Sequence, residues 1–122
     1  MIAKKEMKIE FGGEVRTFYF GLGFLGLFID KTSSNINTLE KDVQENPFKV
    51  LPLLMYYSLL YGCLRNDTTP NFTTFSVADW MDEEGGMQSK PVLDFMAGLS
   101  ASMNAGLPVE KGVKKKVVMP KI

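Results

Sequence analysis

Between Phe48 and Leu64, thirteen of seventeen residues are apolar, and any fold of this chain must put that segment somewhere dry. Its length falls short of the roughly 20 residues that span hydrocarbon. It also carries Lys49, Pro52 and the hydroxyls of Tyr56, Tyr57 and Tyr61, so a buried helix accounts for it better than a membrane span. From Leu53 to Leu64 it is apolar on nearly every side, the mark of a central core helix or of a helix covered by a partner. Asn46 and Pro47 supply its start, with Asn as N-cap and Pro at the first helical position, where a missing N–H costs nothing. Pro52 predicts a kink or a short break, and Gly62 with Asn66-Asp67 helps to end the helix.

The segments around this helix change period along the chain. Met7, Ile9 and Phe11 alternate with charges, Gly12-Gly13 follows, and Val15 to Phe20 is rich in β-branched and aromatic residues. Two such runs joined by Gly-Gly predict a β-hairpin, because both loop positions can take positive φ. Two strands alone are marginal, so the apolar face of the hairpin must dock on something. Beyond Gly21, Leu22, Leu25, Phe28 and Ile29 fall on one helical face that fades at Asp30 to Ser34. Asn37 or Thr38 caps a short helix through Glu45, with Leu39 and Val43 on its inner side. After a polar loop from Thr68 to Thr74, Ser76 is read as the cap of a helix over Val77 to Glu83, with Asp79 completing a capping box and Trp80 packing inward. Gly85-Gly86 breaks the chain, and Ser89 caps a last helix. There Val92, Phe95, Met96, Leu99 and Met103 form the clearest amphipathic stripe, ended by Gly106 and Pro108. The expectation is a mostly α fold: an N-terminal β-hairpin followed by a bundle of four to five helices in one domain over 1–106.

The 122 residues include no histidine and a single cysteine, Cys63. Histidine-based nucleophile activation and His-containing zinc sites are therefore excluded, as are an intramolecular disulfide and a CxxC site. The balanced charge of 14 against 14 hides an asymmetry. Residues 1–106 hold nine basic and thirteen acidic groups, a net of −4; residues 107–122 hold five lysines and Glu110, a net of +4. That stretch reads as a basic, flexible tail, and five lysines without interleaved aromatics or arginine support a nucleic-acid arm only weakly. The apolar run Phe18 to Ile29 is too short to span a membrane and follows Glu6, Glu10 and Glu14, the wrong flank for a signal peptide.

Two motifs invite chemistry. Gly21 to Gly26 is a literal GxGxxG after a strand, with Glu40 or Asp42 as the ribose acid of a dinucleotide site. The strand before it pairs backward as a hairpin, however, and no parallel second strand follows. A loop bending a strand into a helix against a tight core explains the glycines equally well. The acids Asp79, Asp82, Glu83 and Glu84 suit the first turn and outer face of a capped helix better than a general acid and base. Cys63, in the most apolar segment, reads as a buried inert thiol. No catalytic, cofactor or metal residue is expected. Eight methionines and nine phenylalanines are instead many for this size, and such residues make adaptable interaction surface.

Taken in order, these elements resemble the phage tail assembly chaperone family. The resemblance is carried by the hairpin running into FGLG at Phe20 to Gly23, the Asn46-Pro47 start of the apolar helix, the Val77 to Asp82 turn with its Asp79-Trp80 pair, and the final amphipathic helix. It covers about residues 7–105 and rests on order and spacing. It implies a cytoplasmic protein of an infected or prophage-carrying bacterium that binds the tape-measure protein, keeps it soluble during tail morphogenesis and is absent from the mature virion. It also implies self-association and a longer form made by a programmed −1 frameshift, for which the codons of Lys114-Lys115-Lys116 are the candidate slip site. The residues expected to bind the partner are Leu53, Leu54, Tyr56, Tyr57, Leu60 and Tyr61 in the central helix and Phe95, Met96, Leu99 and Met103 in the last. The alternative is a small structural subunit of the tail or head-completion complex retained in the virion.

Overall fold

A computed structural model describes residues 6–106; the basic tail over 107–122, with its lysine run, lies outside the described residues. Strands β1 (Glu6–Phe11) and β2 (Glu14–Tyr19) pair antiparallel, with Phe11 opposite Glu14 and Met7 opposite Phe18. The Gly12-Gly13 turn has φ of 66° and 86°, which side-chain-bearing residues rarely adopt, so the glycine pair sets the register. Five helices follow: α1 (Leu22–Thr32), α2 (Leu39–Glu45), α3 (Pro47–Arg65), α4 (Thr74–Glu84) and α5 (Lys90–Gly106). Short 3₁₀ turns at Ile36–Thr38 and Gly86–Gln88 precede α2 and α5. The expected hairpin and helical bundle are both present.

The hairpin is held in the bundle by its apolar face. Ile9, Phe11 and Phe18 are buried, α3 packs on β2, and α5 packs on β1. Ten aromatic rings close a circuit through these elements. It runs Trp80–Phe11–Phe18–Phe95–Phe20–Phe24 and returns by Phe28, Tyr57, Tyr56 and Phe72 to Trp80, with neighbouring centroids 4.9 to 6.5 Å apart. Tilted and edge-on pairs at this spacing add about 0.5–1.5 kcal/mol each beyond area burial. Every strand and helix except α2 contributes a ring.

Several local readings are corrected. Helix α3 runs as one element through Pro52, so of the expected kink or break the break does not occur. The bond Pro52 cannot make is to the carbonyl of Phe48 in the first turn, whose side chain is exposed, so water can take its place. By length and composition α3 is the one described helix apolar enough to cross a bilayer; here it turns Leu51, Leu54, Met55, Ser58, Leu59 and Gly62 into the protein core. The buried Ser58 hydroxyl donates to the carbonyl of Tyr19 at 2.8 Å, tying α3 to the end of β2.

In α1 the buried face is Phe24, Leu25 and Phe28, whereas Leu22, in the first turn, points to solvent. Helix α4 starts at Thr74, capped by Thr73 rather than Ser76. The Thr73 hydroxyl accepts from the Ser76 N–H at 3.2 Å, and the Ser76 hydroxyl accepts from the Thr73 N–H at 3.0 Å. Asp79 through Glu84 therefore sit in the middle and last turns, where the helix dipole does not favour them, and all four acids are exposed. Trp80 packs inward as expected, half-buried over the hairpin turn and edge-on to Phe11, with the Arg16 guanidinium 4.0 Å from its ring centre. Arg16 also donates from Nε to the Phe11 carbonyl at 2.7 Å. Ser89 precedes α5, but its hydroxyl turns back to donate to the Gly86 carbonyl.

Because Phe18 is fully buried and sits in the aromatic circuit, Phe18→Ala should lower unfolding free energy by about 3–5 kcal/mol. Val15→Ala, at a position 63% exposed on the same strand, should stay within about 0.5 kcal/mol of wild type. Denaturant melts of the two variants check this.

Candidate partner-binding surface

The ten residues expected to bind a partner divide between core and surface. Leu54, Phe95 and Leu99 are buried, with exposures of 0%, 0% and 4%. Leu53, Tyr56, Tyr57, Leu60, Tyr61, Met96 and Met103 are half-buried and keep part of their surface in water. The two groups are not joined by a close α3–α5 contact, since α3 packs chiefly on β2 and α5 on β1. The tyrosines turn inward by one edge: Tyr57 meets Phe28, Tyr56 meets Phe72, and Tyr61 meets Tyr19.

Tyr56 shows what partial burial does to such a hydroxyl. Desolvation holds its pKa above the usual tyrosine value, with Tyr57 and Cys63 beside it pushing the same way. It is a neutral phenol at physiological pH. Cys63 is half-buried rather than enclosed. Among the described residues no group of histidine, cysteine and acidic side chains is placed to hold a metal ion.

Of the GxGxxG glycines, Gly21 is explained by its backbone and Gly23 by packing, while a Cβ at Gly26 would meet nothing. Gly21 takes φ of 100° where strand passes into helix. A Cβ at Gly23 would overlap the Tyr61 hydroxyl, and one at Gly62 would press on the Tyr19 ring. Gly23 and Gly62 let α1, α3 and β2 approach through two tyrosines.

The surface with the shape of a binding site lies elsewhere. Helix α2 leans on α3 and stands away from α5, leaving an open groove of about 250 Å³ between α2 and α5. Leu39 and Val43 form one wall; Met96, Leu99 and Met103, at spacings of three and four along α5, form the other. Glu40, Gln44 and Ser100 supply its polar edge. Three of the expected partner residues therefore meet here, and the α2 wall is what the sequence reading left out. A second, more polar depression of about 270 Å³ lies where β2, the end of α3 and the 66–72 loop meet. Thr17, Cys63, Asn66 and Thr69 are among its residues.

No protein family, curated protein or solved structure matches the chain.

Two measurements bear on these side chains. The raised Tyr56 value favours the neutral form in the folded state. The stability it contributes is complete below the unfolded-chain value near 10 and is lost as pH rises through the higher folded value. Thermal unfolding of wild type should therefore fall more steeply above pH of about 10 than that of Tyr56→Phe. Gly23→Ala should destabilise the protein by about 1–3 kcal/mol through overpacking against Tyr61. The same change in a Tyr61→Phe background, which removes the nearest atom, should cost less, as denaturant titration of the four proteins would show.

Proposed function

We propose that this chain is a non-enzymatic phage tail assembly chaperone. In this reading it binds the tape-measure protein in the cytoplasm of the bacterial host and keeps it soluble until the tail tube polymerises around it. The observation that carries the reading is the α2–α5 groove. It is open and apolar, and it is walled by two half-buried methionines whose unbranched side chains can repack around different guests. A long helical client offers apolar side chains at helical spacing, and grooves between helices take such anchors without chemistry. At about 250 Å³ the groove has room for a few apolar side chains. The order of elements, hairpin first and amphipathic helix last, agrees with the family resemblance.

The half-buried tyrosines of α3 offer a second area for the client or for self-association. A frameshift-extended copy of the chain would share residues 6–106 and hence the groove. Nucleic acid and membrane are not partners in this reading.

Co-expression with a tape-measure protein tests it. Wild type should keep the client soluble and co-purify with it. The pair Met96→Glu and Met103→Glu, which puts charge on one wall, should weaken the complex at least about tenfold, a loss of about 1.4 kcal/mol. Mass spectrometry of purified virions should find the chain missing. A client equally insoluble with and without the chain, or a stoichiometric presence in virions, contradicts the proposal.

A further inference from the structure

We infer that the α2–α5 groove is a docking site for the chain's own segment 113–119, independently of what the client is. The groove is apolar inside and carries one acid, Glu40, at its α2 edge. Helix α2 as a whole carries Glu40, Asp42 and Glu45 against Lys41, three acids to one base. The sixteen residues after Gly106 have the opposite character, five lysines against Glu110. Within them, residues 113–119 read Val-Lys-Lys-Lys-Val-Val-Met, an apolar pair and a methionine directly after three lysines. In this docking Val117, Val118 and Met119 fill the groove against Val43, Met96 and Met103, and the lysines face Glu40.

Position makes the docking local. The chain passes Met103, at one end of the groove wall, three residues before Gly106. Along α5 the wall from Met103 back to Met96 covers about 10 Å. The seven residues from Gly106 to Val113 can reach about 23 Å, so the segment can turn back over the whole groove. A tether this short holds it at an effective concentration in the millimolar range, and a weak contact suffices. Helix α2 is also the one helix outside the aromatic circuit, so the segment adds a second support to the least anchored wall.

The test is methyl NMR of the full chain carrying ¹³C-methyl methionine. Met96 and Met103 report on the groove, and Met55 and Met81, both buried in the core, serve as references. Two variants alter only the segment: Lys114→Glu with Lys115→Glu and Lys116→Glu, and Val117→Asp with Val118→Asp. Both should shift the Met96 and Met103 methyl resonances while leaving Met55 and Met81 in place. Raising salt to 1 M should move the wild-type signals in the same direction, and tenfold dilution should leave them unchanged. Unchanged Met96 and Met103 signals in both variants overturn the inference, as do shifts of Met55 and Met81 alone. Wild-type groove signals that move on dilution also overturn it, because the occupant is then the segment of a second copy.

Discussion

The fold depends on a hairpin that cannot stand alone. Two strands with one apolar face are marginal in water, and here that face is made of large aromatic rings. Phe11 and Phe18 pass their contacts to Trp80 of α4 and Phe95 of α5. Phe20, just past β2, carries them on to Phe24 of α1. The circuit closes through Phe28, the α3 tyrosines and Phe72, so the hairpin, four helices and one loop are each packed from two directions. Arg16 reinforces the closing point by holding the Phe11 carbonyl and covering Trp80. Interiors built this way are close-packed and unforgiving, which is why glycine stands where Tyr61 and Tyr19 press on helix backbone.

The division of the helices between core and surface follows from that circuit. In α5, Phe95 faces the hairpin and is closed off, while Met96 and Met103 lie round the helix toward α2 and stay half open. In α3, Leu54 and Met55 are sealed, and the three tyrosines sit half-buried at the boundary. Helix α2 contributes only Leu39 to the deep core, and its remaining apolar residue, Val43, is left facing the groove. The half-buried methionines of α5 have unbranched side chains that can repack around an apolar guest. That is the physical sense of the chaperone reading.

Much of this was legible in the residues. Gly12-Gly13 between alternating runs can only be a tight turn, and the Phe95–Leu99 stripe fixes which side of α5 is buried. Local signals failed where two neighbours competed for one role. Thr73 and Ser76 each suit a helix cap, and their reciprocal hydrogen bonds put the start at the earlier residue, which moved the α4 acids away from the favourable end of the dipole. Leu22 fits the periodicity of α1, yet Phe24 takes the buried place because Phe20 and Phe28 flank it. The groove was half legible: Met96, Leu99 and Met103 were marked by spacing. The opposing wall at Leu39 and Val43 lies more than fifty residues earlier and is brought there by the way α2 rests on α3. No short-range pattern encodes that.

The central claim is that the aromatic circuit makes hairpin and helices one cooperative unit, with α2 outside it. Native-state amide hydrogen exchange measures this directly. Amides of β1, β2, α1, α3, α4 and α5 should open together at the free energy of global unfolding, and those of α2 should open well below it. Hairpin amides that exchange independently of α3 and α5, or α2 amides as protected as those of α3, would contradict the account.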